Sequence, residues 1–249
     1  MRRNRGNEKQ AGRGGGSPPV NGYAVQQLTG IYVDAEDDWE EVSAWHDDAG
    51  DGDGLDIERL WMAHAEQHLQ LVVVNMHPPC CNAGPEDGES SSNAQRQRVV
   101  DGVVAFLRDL KEGDCAFEVA PDTPIVVLGD MNFVGDAQQP RTLRTGEIVN
   151  TEQFGPPAAP DWDDSPLLDT TPRQVASPMH TTWIDAESSF PPGRLDYAYV
   201  SDHVLEPVHE FVLYTPALPE ETRTTHNLRV EDTNVASDHL PVVIDVAAR

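Results

Sequence analysis

The sequence predicts a mixed α/β fold in which a helix lies across a sheet of buried strands, and three stretches predict it. Residues 124–132, PIVVLGDMN, contain the apolar run Ile125 to Leu128, whose β-branched residues suit a strand buried on both faces, and Gly129 is expected to break it. Residues 69–75, LQLVVVN, read the same way. Between them, Asn93 to Glu112 sets Val99, Val103, Phe106, Leu107 and Leu110 on one face at helical spacing, and Gly113 stops the helix. Strand, helix, strand in that order fits a helix packed on a sheet.

Taken in chain order, residues 1–20 are rich in Gly, Arg and Pro and are expected to be disordered. Residues 21–58 read as an acidic, loop-like region: from Asp34 to Glu58 there are twelve acidic residues and no Lys or Arg. Its Asp51-Gly52-Asp53-Gly54 lacks the terminal Glu of a full calcium loop. Residues 59–249 then form the folded domain. Arg59 to Ala65 is expected as a strand, joined to 69–75 by a turn at Glu66-Gln67. After the 124–132 strand, residues 136–180 read as a long irregular segment with one short helix near Gln138 to Ile148, functional or loosely ordered. Thr181 to Trp183, Leu195 to Ser201, Val208 to Tyr214 and Leu240 to Val246 complete the expected strands.

The formal net charge of the 249 residues is -26. Such a surface repels nucleic acid and anionic lipid, so a polyanionic substrate would need a metal or local cations to bind. Lysine occurs only at Lys9 and Lys111. Three cysteines, Cys80, Cys81 and Cys115, form neither a disulfide framework nor the paired spacing of structural zinc. No apolar run reaches membrane-spanning length and no signal-peptide core follows the basic start, which leaves a cytoplasmic location as the default expectation.

Four stretches place polar groups beside apolar strands: Asn75-Met76-His77, Gly129-Asp130-Met131-Asn132, Arg194-Leu195-Asp196-Tyr197 and Ser237-Asp238-His239. Asp130 and Asn132 stand two apart, so in an extended chain both side chains point the same way. Together the four supply carboxylates, imidazoles and amides, which is the set needed to hydrolyse a phosphate ester with a divalent metal. Ser-Asp-His occurs a second time at Ser201-Asp202-His203, but only the later copy precedes a terminal apolar strand, LPVVIDV. His203 is therefore expected to be a turn residue. His180 and Trp183 are left outside the expected site, packing being as good an account of the Trp.

The four motifs in this order resemble the endonuclease/exonuclease/phosphatase superfamily of metal-dependent phosphoesterases, over about Arg59 to Val246. The resemblance implies an α+β fold, a four-layer α/β/β/α sandwich of two mixed sheets packed face to face with helices outside. It implies that Asp130 activates the attacking water, while Asn132 binds phosphate and orients Asp130. His239 would stabilise charge on the phosphoryl oxygens, with Asp196 on its other ring nitrogen, and His77 would contact phosphate. Asp238 would hold Mg2+ or Mn2+, supported by Asn75. The implied substrate is a phosphate ester of nucleic acid, phospholipid or sugar, cleaved by in-line attack of water as a phosphodiesterase or nuclease. The family's early Asn and metal-binding Glu find no counterpart, since Glu58 lacks a preceding Gln and lies close to Asn75. The chain thus reads as the family's C-terminal portion, without its N-terminal half. A catalytically silent remnant that binds phosphate without turnover is the alternative expectation; a calcineurin-like phosphatase is disfavoured, because its Asp-x-His and Gly-Asn-His stretches are absent.

Overall fold

The computed structural model describes residues 39–47, 57–64, 69–80, 91–115, 118–135 and 137–249. The start 1–20, the Asp51 to Gly54 stretch, the turn at Glu66-Gln67 and Cys81 lie outside the described residues. Two sheets make up the fold. The larger has strand order β1-β2-β3-β4-β6-β5, and the smaller pairs β7 with β8. In chain order the strands are β1 (Trp39–Asp47), β2 (Ile57–His64), β3 (Leu69–Met76), β4 (Ile125–Asp130), β5 (Leu168–Asp169), β6 (Asp196–Val200), β7 (Leu205–Val212) and β8 (Val242–Ala248). The helices are α1 (Ser92–Glu112), α2 (Gln138–Thr145), α3 (Thr151–Phe154), α4 (Glu220–Thr225) and α5 (Asp232–Ala236). This is the mixed α/β sandwich that the motifs imply.

β1 corrects the reading of 34–58 as a loop. Its backbone pairs antiparallel with β2 from Trp39↔His64 to Asp47↔Ile57, and β2 pairs with β3 in turn. A backbone ladder forms whatever the side-chain charge, and an acidic composition conceals it from a hydropathy reading. Thr181 to Trp183 is corrected in the other direction, because Trp183 makes only isolated bridges to Gly193 and His239.

β3 and β4 run parallel, Val72↔Ile125 to Asn75↔Leu128, and α1 makes the crossover between them. Ser91 caps α1, its Oγ accepting from the Ala94 N–H, and Gly113 ends it in the left-handed region at φ 77°. Val99, Val100, Val103, Phe106, Leu107 and Leu110 are buried against Val72, Val74, Ile125 and Val127, all of which are sealed from solvent. The opposite face of the same strands carries Leu71, Val73, Val126 and Leu128, which look across a cleft of about 660 Å³ at Val242, Ile244 and Val246 of β8. Strand alternation thus sends Asn75, Asp130 and Asp196 to the inter-sheet side, away from α1.

Residues 137–180 are tied to the helix layer by hydrogen bonds. α2 begins at Gln138 as expected and ends at Gly146, where a Cβ would meet the Ala158 carbonyl oxygen at 1.7 Å. Asp101 of α1, fully buried, accepts from the Val149 and Asn150 N–H groups, and Arg108 donates to the Phe154 carbonyl at 2.8 Å. A buried charge is tolerable only with such partners, so α1 holds this segment through its polar side chains.

Candidate active site

Asp130 is the last residue of β4 and only 7% exposed. Gly129 does not break the strand as its composition suggests; it pairs with Tyr197 of β6 inside it. Its φ is 136°, and a Cβ there would lie 2.1 Å from the Met76 carbonyl oxygen and 3.1 Å from the Asn75 Oδ1. Glycine therefore lets the ends of β3 and β4 close together and brings Asn75 beside Asp130.

Asn132 meets Asp130 by a different route from strand alternation. The chain leaves β4 and turns, with Asn132 at φ 49°, a left-handed conformation that Asn tolerates better than most residues. Its N–H donates to Asp130 Oδ1 and its Nδ2 to Asp130 Oδ2, both at 3.2 Å. The same Nδ2 donates to the Pro78 carbonyl at 3.0 Å. Two donors fix the rotamer of the carboxylate and tie the β4 end to the loop after β3.

That loop carries His77, whose Nε2 stands 3.4 Å from Asp130 Oδ2. Arg96, a buried residue of α1, donates to the Pro79 and Cys80 carbonyls at 2.9 and 3.4 Å and to the Val134 carbonyl at 3.5 Å. It therefore clamps the loop behind His77 to the loop behind Asn132. Arg96 also donates to Asn93 Oδ1 at 2.6 Å on its own helix, but nothing in the sequence marks its three backbone-carbonyl partners in distant loops.

His239 enters from the smaller sheet's side, just before β8. Its Nδ1 contacts both Asp196 oxygens, at 2.9 and 3.1 Å, and its Nε2 stands 3.7 Å from Asp130 Oδ2. A carboxylate on Nδ1 fixes the tautomer and turns Nε2 toward Asp130. Thr182, fully buried, supports the pair: its Oγ1 accepts from the Leu195 and Asp196 N–H groups at 3.0 Å, and its carbonyl accepts from Leu240 N–H at 2.6 Å. One threonine thus holds the segments bearing Asp196 and His239 together. The only sequence signal for it is its place in an apolar-flanked Thr-Thr-Trp.

Asp238 is exposed and accepts from the Trp183 indole N–H at 2.9 Å. Burial works against its charge, but the Trp183 and Ser237 donors and the neighbouring His239 outweigh it and hold the carboxyl below its ordinary range. Arg194, by contrast, turns away to Asp169, at 2.7 Å, and its guanidinium lies 4.0 Å above the Tyr197 ring.

For His239, burial disfavours the imidazolium, yet the Asp196 hydrogen bond and the charges of Asp196, Asp130 and Asp238 raise its pKa above the ordinary value. The sign of the linked stability follows. A raised folded pKa makes the interaction fully stabilising below the unfolded value of about 6.5, and the contribution is lost as pH rises through the folded value. An NMR titration of His239 in chelator is expected to give a value above that of free histidine, which Asp196→Asn lowers. An unshifted His239 in both proteins would remove the electrostatic account.

The site residues expected from sequence therefore converge. Asp130, Asn132, His77, His239 and Asp196 meet at one end of the larger sheet, with Asn75 beside them and Asp238 at the rim. Among the described residues, the carboxylates and imidazole that approach as a metal-binding set are those of Asp130, Asp196 and His239, with ligand atoms within 4.8 Å of one another. The sequence profile of the Endonuclease/Exonuclease/phosphatase family matches residues 22–239. The chain belongs to that family. The match begins well before Arg59, where the motif resemblance started, and so takes in β1 and β2. No curated protein matches the sequence.

Similar solved structures include the human nocturnin catalytic domain, at 14% identity and TM-score 0.45, covering 86% of this chain and 62% of that one. Mannosyl-6-phosphatase from Bacteroides thetaiotaomicron is 13% identical, with TM-score 0.45 and coverage of 86% and 68%. An endonuclease/exonuclease/phosphatase from Bacteroides vulgatus is 14% identical, with TM-score 0.46 and the same coverage. The chain spans less than two thirds of the nocturnin domain. No helix among the described residues is long and apolar enough to cross a membrane.

Proposed function

We propose that this chain hydrolyses a phosphodiester by in-line attack of water, with Asp130 as the general base. The observation that carries the reading is the buried Asp130 carboxylate, fixed by two Asn132 donors and flanked by the ring nitrogens of His77 and His239. A general base needs a set orientation and hydrogen-bonding reach to water, and Asp130 has both at the open end of the cleft. His239, protonated, donates from Nε2 to a phosphoryl oxygen as charge grows there, while Asp196 keeps its ring in place. Both Asn132 amide hydrogens are already committed, to Asp130 and to the Pro78 carbonyl. Its role is therefore orientation of Asp130 more than phosphate binding. His77 is placed to contact the phosphoryl group from the other side.

The family implies a divalent metal, and the donor set fits one. The carboxylate oxygens of Asp130 and Asp196 suit Mg2+ or Mn2+, which prefer oxygen ligands. A bound ion would neutralise phosphoryl charge and acidify the attacking water. His239 belongs to the same grouping, but its protonated form has no free lone pair on Nε2 for an ion and serves as a donor to phosphate. Asn75 lines the inter-sheet cleft with Asp130 and Asp196, and Asp238 adjoins His239 in the chain; the family resemblance implies both as further oxygen ligands.

Turnover of bis(p-nitrophenyl) phosphate is expected with Mg2+ or Mn2+, to vanish in excess EDTA and to return when metal is restored. No turnover with any divalent ion, together with retained phosphate binding, would replace this reading with that of a silent phosphate-binding protein.

A further inference from the structure

The catalytic groups open onto a second cleft, on the loop side of the sheet, and its walls differ from those between the sheets. It holds about 810 Å³, within the usual size of a small-molecule site, and takes in Asp130, Asn132 and His239 at its inner end. Its outer walls include Phe133, Trp183, Phe190, Pro191 and Pro192. A larger cleft of about 970 Å³ beside Phe211 contains none of the catalytic residues.

Phe190 is the informative residue. It is 57% exposed, in a chain whose formal charge is -26 and whose aromatic content is only 6%. Single exposed apolar residues are ordinary. This one lines the cleft that contains the proposed base, and its position is set on both sides. Its N–H donates to Ser188 Oγ at 3.1 Å, and the following Pro191-Pro192 restrict the backbone. Trp183, which lines the same cleft, is held by its indole bond to Asp238. Flat apolar surfaces held before binding lose little entropy when they take a ring.

The charges point the same way. Among the described residues lining this cleft, Arg194 is the only Arg or Lys. It is committed to both Asp169 oxygens, to the Thr170 carbonyl and to the Tyr197 ring. Among the described residues, no lysine or arginine of this cleft is therefore left to grip a second phosphate. A polyphosphate or a duplex would meet an acidic protein without compensating cations. A flat ring attached to a single phosphodiester would meet aromatic walls that stack on it whatever its hydrogen-bonding edge.

We infer that this cleft is the specificity subsite of the enzyme and that Phe190 stacks on a flat ring, a nucleobase or a simple aryl group, carried by the ester beside the scissile phosphate. The inference rests on the phosphodiesterase reading of Asp130 and names the substrate class of that site. It is tested with three diesters sharing one p-nitrophenolate leaving group, whose other ester is thymidine, phenyl or ethyl. The wild-type chain is expected to prefer a ring-bearing ester over the ethyl ester in kcat/KM. Phe190→Ala should reduce that preference about tenfold, and Phe190→Tyr should restore it. Preference for thymidine alone identifies a nucleobase, and preference for both rings identifies any aryl group.

Equal treatment of the ethyl and ring esters, or a preference that survives Phe190→Ala, overturns the subsite while leaving the hydrolase reading intact. Should wild type cleave none of the three, that reading falls. The subsite is then decided by calorimetry of thymidine monophosphate against inorganic phosphate. Tighter nucleotide binding that weakens about tenfold in Phe190→Ala supports it, and equal binding of the two ligands ends it.

Discussion

Asp130→Asn is expected to abolish phosphodiester hydrolysis while the protein keeps its fold. The two side chains are nearly isosteric, and Asn132 N–H can still donate to an oxygen at position 130. What is lost is the acceptor of the water's proton. Loss of a general base costs about 10²–10⁴-fold in rate. The change also removes a negative charge facing His239 and His77, so the imidazolium at His239 is less favoured and a phosphoryl oxygen loses part of its donor. These effects act in the same direction. Turnover on a chromogenic diester, measured beside a thermal melt, decides the matter. Near-wild-type rates in a folded variant would show that Asp130 is not the base.

The features visible in the sequence are those that burial writes into composition. β3, α1 and β4 bury apolar residues and are plain as hydrophobic runs or helical spacing. β6 and β8 lie within a few residues of the stretches expected for them, and β7 starts three residues before its expected Val208. Strand ends shift because the ladder and the apolar run end at different residues: Leu240 precedes the β8 ladder, and the β7 ladder runs back through Glu206 to Leu205. β1 was concealed because twelve acids crowd the residues around it, while a ladder is made of backbone groups common to every residue.

The contact between Asp196 and His239 was legible through the family motifs, each of which names a residue type beside an apolar strand. What holds the motifs together was not legible. Thr182, Arg96 and Asp101 act through backbone carbonyls and N–H groups of distant segments, and such partners leave no spacing to read. Gly129 looked like a strand break because glycine usually is one. Its reason is a carbonyl oxygen of the neighbouring strand 2.1 Å from where a Cβ would sit.

His239→Ala should cost hydrolysis severely, by about 10²–10⁴-fold, and His203→Ala should cost little, although both histidines end a Ser-Asp-His tripeptide. Their surroundings differ in every respect that chemistry uses. His203 follows β6 at the end where Ser201 Oγ accepts from the Ile125 N–H, whereas Asp130 closes β4 at the opposite end. Five residues of strand separate the two ends, roughly 17 Å. The His203 side chain is 42% exposed and lies 3.6 Å and 3.7 Å from Asp122 and Asp163, exposed carboxylates of neighbouring loops. Exposed pairs of that kind contribute little to stability and cannot reach the phosphate. The His239 side chain is 17% exposed, is held by Asp196 at 2.9 Å, and turns its free ring edge toward Asp130. Removing it leaves the Asp196 carboxylate without its ring partner and the phosphoryl oxygen without its donor. Turnover of the two variants on one diester, at a metal concentration that saturates both, separates the cases. Equal losses would mean that the donor to phosphate has been assigned to the wrong Ser-Asp-His.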